Sequence, residues 1–275
     1  HATSFFTATL IKLFNRHLQL IWHDHYGESE ALEQRPLKVL KFCSNWFSYV
    51  FSVNTKLEEW ARKKLNNDRI KYIKNFSQSG INSSTNPTQL KGDKNKFKIA
   101  QVANLRAQKD HLTALKAIKL LKETDNEVEL HLVGAYQNDD YYNIIKSYIK
   151  KHQLENEVFI YGSCPDVPAI LDQVNLSLLS SRSEGLPVSL LEYAKTPIPV
   201  VVTDVGQCKD VVGKNGKVVP KDDSHALAEA IKCYLNDPVQ AEKDAHDLNL
   251  KVSQEYGEDK ILHEIIACYQ QTLFT

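Results

Sequence analysis

The chain has little of what announces a function most directly. Its 275 residues begin at His1 and include no methionine, so the sequence is expected to be a piece of a longer reading frame. Five cysteines, Cys43, Cys164, Cys208, Cys233 and Cys268, are scattered, odd in number and nowhere arranged as CxxC. That pattern disfavours a disulfide framework and a zinc site, and fits a reducing cytoplasm. Net charge is absent too, with 34 Lys and Arg against 34 Asp and Glu. No global field therefore draws the chain to nucleic acid, and no nucleic-acid partner is expected. No apolar run approaches the ~20 residues that cross a bilayer. The opening "HATSFFTATLIKLFNRH" lacks the basic start and cleavable apolar segment of an export signal. Finally, no G-x-G-x-x-G follows a strand, and neither GxxxxGK[ST] nor G-x-S-x-G occurs. Dinucleotide oxidoreductases, P-loop enzymes and nucleophile-elbow hydrolases are thereby unsupported.

What is present is a repeat of strands and helices. From residue 97, apolar runs alternate with helix-period stretches: "FKIAQVAN", "DHLTALKAIKLLKE", "VELHLVG", "DYYNIIKSYIKKH", "VFIYG", "VPAILDQ", "LSLLSS", "PVSLLEYAK", "PVVVTDV". Leu112, Leu115, Ile118 and Leu121 share one helix face, and strands apolar on both sides imply a parallel sheet covered by helices. "GKNGK" at 213–217 reads as a hairpin turn. "NDDY" and "KDDS" read as acidic helix starts, explained by the helix dipole without a metal. After residue 222 the pattern is helical. Residues 76–96, "FSQSGINSSTNPTQLKGDKNK", read as a polar linker. Residues before it show an α/β unit with few strands. The expected division is 1–92 for an N-terminal α/β domain with its linker, 93–255 for a Rossmann-like domain, and 256–275 for a C-terminal helix able to dock back on the first domain.

Three places carry candidate chemistry. In "SRSEGLPVSLLEYA" a strand ends, a turn carries Glu184 and Gly185, and Pro187 enters a helix, where its fixed φ and missing N–H suit the first turn. Free amides there, with about half a unit of positive dipole charge, make an anion site. Glu192 lies about one and a half turns further on. Carboxylates beside an anion site suit a sugar phosphate ester; a solvated helix residue and a turn residue are the other reading. In "VANLRAQKDH", Arg106 and Lys109 follow a strand, where paired cations neutralise a diphosphate, though turn cations are common on any surface. In "LIWHDHYG", His23 and His25 end a strand; a metal there would need a third ligand that the sequence does not supply.

The motif "SRSEGLPVSLLEYAKTPIPVVVTDVGQ" closely resembles the EGxP-x-x-x-x-E region of glycosyltransferase family 4, which has the GT-B fold of two Rossmann-like domains. "VANLRAQKDHLTALKAI", "LHLVG", "VFIYGSCPDVPAILDQVNLSLLSS" and "NGKVVP" follow the family in the same order, and residues 1–76 more weakly. The resemblance implies transfer of a hexose-like sugar from a UDP- or GDP-sugar to an acceptor hydroxyl with retention, without an essential metal or other cofactor, in cell-surface polysaccharide or glycoconjugate synthesis. By position it implies that Lys109 contacts the donor diphosphate and Glu192 the ribose. Glu184 and the amides of Gly185, Leu186, Pro187 and Val188 would meet sugar and phosphate, although a proline has no amide hydrogen to give. Asp166 and Val167 would lie nearest the base, and His23, with His25 as competitor, would face the donor sugar. Many members carry an arginine five residues before the lysine; here that place holds Asn104, and the role passes to Arg106. The glycine-rich first loop of the family has no counterpart, which leaves a non-catalytic nucleotide-sugar-binding or partner-binding module as the alternative.

The implied partners are the donor and a saccharide or lipid-linked acceptor. The implied location is the cytoplasm, with peripheral association at the inner face of a membrane. For that association the sequence offers Arg62, Lys63, Lys64, Arg69, Lys71 and Lys74 beside Trp60, although such a stretch is more often a solvated helix face.

Overall fold

The computed structural model describes residues 4–26, 32–76 and 87–273. In chain order these form α1 (Ser4–Phe14), β1 (Ile21–Asp24), α2 (Lys38–Cys43), β2 (Tyr49–Ser52), α3 (Thr55–Lys64) and β3 (Ile70–Tyr72). There follow β4 (Phe97–Val102), α4 (His111–Glu123), β5 (Val128–Val133), α5 (Asp140–Lys151), β6 (Val158–Gly162) and α6 (Val167–Leu171). The rest is β7 (Leu176–Leu179), α7 (Val188–Lys195), β8 (Val200–Thr203), α8 (Cys208–Val212), β9 (Lys217–Val219), α9 (Ser224–Asn236), α10 (Pro238–Glu255) and α11 (Glu258–Leu273). Two compact units emerge: described residues within His1–Ser77, Glu184–Leu186 and Tyr256–Thr275 make one, and those within Gln78–Ser183 and Pro187–Glu255 the other.

The first unit is a three-stranded parallel sheet, β1-β2-β3. One core, with Leu40, Phe47, Val50, Trp60 and Ile70, is joined by Phe5 and Trp22; another unites Phe51 and Ile73 with Ile261 and Cys268 of α11. Asn54 caps α3 by accepting the Leu57 N–H at 2.8 Å. The basic stretch is largely answered within the unit. Arg62 bonds Glu58 (2.8 Å), Lys63 and Lys64 approach Glu59 (4.0 Å) and Glu33 (3.7 Å), Lys71 approaches Glu264 (3.9 Å), and Lys74 lies over the Tyr256 ring. Trp60, expected at a docking surface, is instead a core residue on the buried face of α3 that includes Leu57 and Ala61.

The second unit is a six-stranded parallel sheet in the order β6-β5-β4-β7-β8-β9. Leu130, Leu132, Leu176 and Leu178 point to one face, where α4 contributes Leu115, Ile118 and Leu121 and α9 contributes Leu227 and Ile231. The alternate residues Glu129, His131 and Ser177 are buried as well, so these strands are not apolar on both faces. The reason lies in the segment read as linker. Residues 77–86 fall outside the described residues, but the Leu90 N–H reaches Gln173, the Lys91 N–H reaches the Tyr161 hydroxyl, and the Asp93 N–H reaches Glu129 Oε1 at 2.8 Å. A polar chain crossing the sheet needs polar partners beneath it. Gly92 has φ +92°, and a Cβ there would collide with the Glu129 carboxylate.

One local expectation needs correcting and another holds. The residues 213–217 do not turn a hairpin: α8 precedes them, and β9 runs parallel to β8, so they connect a helix to a strand. The acidic pairs do cap helices, with Asp139 accepting the Tyr142 N–H and Asp223 the Ala226 N–H.

Candidate functional site

The order of the second sheet creates a particular place. From β4 the chain steps outward to β5 and β6 on one side, whereas β7, β8 and β9 extend from its other side. In open α/β sheets a crevice opens at the carboxyl ends of the strands where the direction reverses, here β4 and β7. The two turns leaving those strands carry Arg106 with Lys109, and Glu184 with the entry to α7.

Buried polar groups stitch these turns together. Gln101 Nε2 donates to the Lys109 carbonyl (3.1 Å) and to Ser180 Oγ (3.0 Å), and Ser180 donates to the Asp110 carbonyl (3.0 Å). The Arg182 N–H reaches Gln108 O at 2.8 Å, while Gln108 Nε2 reaches Ser183 O at 2.9 Å. Asp110 sits in the left-handed region (φ 45°, ψ 52°), a conformation aspartate tolerates better than most residues, and caps α4 through Thr113. The Arg182 guanidinium lies 3.3 Å from Asp110 and 2.6 Å from Asp222. The backbone bearing Lys109 is therefore held firmly. Arg106 is exposed at the start of the short turn Ala107–Lys109.

The entry to α7 differs slightly from expectation. Pro187 is the cap residue (φ −72°, ψ 117°) rather than part of the first turn, Val188 begins the helix, and the cap has no side-chain acceptor. The positive helix end thus keeps its dipole uncompensated by its own cap, as an anion site requires. Gly185 has no positive φ, so backbone conformation does not demand glycine there; close approach of a ligand is a reason that would. Glu184, Leu186 and Pro187 are buried, Val188 is exposed, and Glu192 is half-buried on the second turn of α7. Burial raises the Glu192 pKa, with Lys195 opposing the shift. Tyr193, wholly buried, anchors the helix: its hydroxyl accepts the Val102 N–H at 2.6 Å and donates to Leu178 O at 3.3 Å, joining α7 to both strands of the switch point.

Asn104, standing where an arginine is usual, serves the architecture: its side chain accepts the Ala135 N–H at 3.0 Å. Asp166 is also engaged. Its carboxylate accepts the Thr88 N–H (2.5 Å) and hydroxyl (2.8 Å), which hold its pKa below the usual carboxylate range. The loop after β6 is thus tied to the crossing segment through Asp166, while Val167 is partly exposed at the start of α6.

In the first unit His23 occupies β1 and His25 lies just beyond it. Their rings are nearly parallel, 6.4 Å apart; His23 meets Phe51 edge-on and approaches the Tyr269 hydroxyl at 3.3 Å. Burial lowers both pKa values; His25 lowers that of His23 further, and Asp24 opposes the shift at His25. Between them Asp24 is buried against Arg35, a pair that inspection of the sequence missed. Among the described residues no group of three or more His, Cys, Asp or Glu side chains is placed to hold a metal ion.

Two buried histidines of the second unit make stability depend on pH. His111 follows the Lys109 turn; its backbone N–H donates to Tyr141 Oη at 2.9 Å, and burial of its ring lowers its pKa to about 4. His131 is lowered to about 4 by burial and by Lys98, while its Nε2 lies 3.7 Å from a Glu129 carboxylate already facing Lys98 at 3.5 Å. The unfolded chain protonates these groups near the ordinary histidine pKa and the folded one does not. Their contribution is therefore complete above about pH 6.5 and is lost as pH falls towards 4, at up to ~1.4 kcal/mol per pH unit for each histidine. Denaturant unfolding at pH 6 and 5 should show a loss of about 2 kcal/mol. A flat profile would contradict the burial of neutral imidazoles.

The model of the family "Glycosyl transferases group 1" matches residues 82–251. A poly(glycerol-phosphate) alpha-glucosyltransferase of Bacillus subtilis is 23% identical over 242 residues, covering 86% of the chain and 35% of that protein. The putative colanic acid biosynthesis glycosyltransferase WcaL of Escherichia coli is 29% identical over 196 residues, 64% of the chain and 48% of that protein. The chain thus spans between a third and a half of these two relatives. Among solved structures, Anabaena HepE in complex with UDP superposes with a TM-score of 0.82 at 18% identity, covering 98% of the chain and 77% of that protein. Sucrose-phosphate synthase of Thermosynechococcus elongatus gives 0.77 at 18% identity, covering 97% and 71%.

Proposed function

The chain belongs to the group 1 glycosyl transferases and has their GT-B fold, and from this we propose that it is part of a family 4 enzyme moving a hexose-like sugar from a UDP- or GDP-sugar to an acceptor hydroxyl with retention. The acceptor is a saccharide or a lipid-linked saccharide in polysaccharide synthesis, and the site of action is the cytoplasmic face of a membrane. The observation that carries the reading is the switch point, where the cation-bearing turn is hydrogen-bonded to the end of β7 and the turn that leads into α7, and α7 starts without a side-chain cap. UDP or UDP-glucose in HepE structures supports the nucleotide class.

In this reading Lys109 and Arg106 meet the diphosphate with the amides at the start of α7. Glu192 accepts the ribose hydroxyls, which suits a half-buried carboxylate. Glu184 and the amides beside it hold the sugar and phosphate, His23 or His25 faces the sugar, and Val167 lies near the base. Because Thr88 occupies the Asp166 carboxylate, the base is read by the backbone around it. The bond between the anomeric carbon and the diphosphate oxygen breaks, the acceptor oxygen bonds to the same carbon on the same face, and its proton passes to the departing phosphate. Charge neutralisation by cations and amides replaces a metal.

Thermal unfolding with UDP-, GDP- and ADP-sugars tests the donor assignment, since a ligand at 100 times its Kd stabilises by about 2.7 kcal/mol. One nucleotide class should raise the melting temperature. No shift with any of the three would overturn the reading.

A further inference from the structure

Asp166 is the cap residue of α6, yet its carboxylate makes no bond to the helix it caps. An aspartate in that place ordinarily accepts an amide of the first turn. Here both oxygens are spent on one residue of the segment that leads to β4. Thr88 donates its N–H to Oδ2 at 2.5 Å and its hydroxyl to Oδ1 at 2.8 Å. The carbonyl of Thr88 accepts from Gln173 Nε2 at 2.8 Å, just beyond the other end of α6, and Cys164 hydrogen-bonds the same threonine. Thr88 stands 78 positions before Asp166, outside every motif that marks the site.

Attachment of this segment to the sheet does not require the contact. Leu90, Lys91 and Asp93 are already held by Gln173, Tyr161 and Glu129. Thr88 instead fastens the loop after β6, where Asp166 is 2% exposed while Ser163 and Pro165 are open to solvent. A buried carboxylate is costly to keep unless it is fully hydrogen-bonded, and two charge-assisted bonds to one residue fix the backbone around it. The loop thus turns its charged side chain inward, leaving Ser163, Pro165 and the partly exposed Val167 on its outer side.

We propose that Thr88 is a positioning residue for base recognition: by fastening Asp166 it fixes the backbone of the Ser163–Val167 loop, and through it the choice among uracil, guanine and adenine nucleotides. This rests on the reading of the donor site given above. A rigid edge of amides and carbonyls pairs with one base and leaves a group unpaired against another, whereas a loose edge re-forms its bonds to either. Loss of the tether therefore blunts discrimination between bases more than it weakens the phosphate contacts, which belong to the turns after β4 and β7.

Calorimetry with UDP, GDP, ADP and pyrophosphate, the last having no base, tests this on the whole chain. Thr88→Val keeps the shape and the N–H but removes the hydroxyl. It should weaken the preferred nucleotide about fivefold and shrink its preference over the other two by a similar factor, while pyrophosphate affinity changes by less than about twofold. Thr88→Ser restores the hydroxyl and should return the preference to within about twofold of the unmodified protein. Gln89→Ala, at the exposed neighbouring position, should be silent. Amide exchange without ligand reads the tether itself: Thr88→Val should speed exchange in the Ser163–Val167 loop about tenfold and leave α4 unchanged, which separates a loosened loop from an unfolded protein. An unchanged base preference in Thr88→Val, an equal loss for pyrophosphate, or no recovery in Thr88→Ser would overturn the inference. If the unmodified protein binds no nucleotide although exchange reveals the tether, the donor-site reading fails first, and Thr88 is left with an architectural role only.

Discussion

Replacing Lys109 with alanine is expected to lower sugar transfer on the order of 100-fold or more, because a fixed cation at a developing diphosphate acts most strongly in the transition state. The ground-state effect should be smaller, with UDP affinity falling by roughly tenfold for one lost charge-assisted hydrogen bond. The geometry supports the separation of the two effects. The Lys109 carbonyl is fastened by Gln101, and the next carbonyl by Ser180, so the lysine backbone keeps its position when the side chain is cut back to Cβ. Lys116, on the solvent side of α4, is the control and should be silent when changed to alanine. Glu192→Ala should likewise weaken UDP while leaving the fold intact, since its carboxylate is half-exposed. If Lys109→Ala and Glu192→Ala both retain transfer and affinity, the site assignment is wrong. If both lose UDP but the full-length protein that contains this chain transfers no sugar from any donor, the protein is a binding module rather than a transferase; inactivity of this part alone is expected under either reading.

The largest loss of stability should come from Arg35→Ala. The guanidinium donates to Asp24 through both terminal nitrogens, at 2.7 and 2.8 Å, and packs over the rings of Tyr26 (4.4 Å), Trp60 (4.7 Å) and Trp22 (5.3 Å). Both side chains are almost entirely buried, at 7% and 2% exposure. Truncating the arginine removes cation–π contacts and leaves a carboxylate without its counter-charge, a combination expected to cost about 3–5 kcal/mol. Urea unfolding of the first unit measures it. Asp24→Asn combined with Arg35→Met should recover much of the loss, because replacing both partners avoids the stranded charge. A loss below about 1 kcal/mol for Arg35→Ala would mean that Asp24 is rehydrated, contrary to its burial. Since Asp24 lies between His23 and His25, the same variant should also disturb any activity that depends on those imidazoles.

The parts legible in the sequence were those set by periodicity and by chain-local turns. The alternation from residue 97 onward correctly placed β4 through α7, because a buried parallel strand and an amphipathic helix each leave a pattern within a few neighbouring residues. The candidate turns after β4 and β7 were found for the same reason. The order of the strands was not legible, and it is this order that makes the two turns neighbours. The hydrogen bonds that join them also arise between residues 70 or more positions apart, as in Gln101 with Ser180 and Tyr193 with Val102. A glutamine in "FKIAQVAN" and a serine in "LSLLSS" were the available signals, being polar residues in runs that otherwise read as buried. In the first unit the ring cage around Arg35 left no local trace, since Trp22, Tyr26 and Trp60 come from three separate elements or loops. The pairing of the basic stretch on α3 was not legible because the acidic partners of Lys64 and Lys71, Glu33 and Glu264, are distant in sequence.

The central claim is that the crevice at the ends of β4 and β7 takes a nucleoside diphosphate. Amide hydrogen exchange with and without saturating UDP tests it most directly, because it reports each segment separately. The account predicts slowed exchange in the Arg106–Asp110 turn and at the start of α7, from Gly185 to Glu192, with little change across α1 and α2. Binding of UDP that leaves both segments unchanged, or protection confined to other parts of the chain, would contradict it.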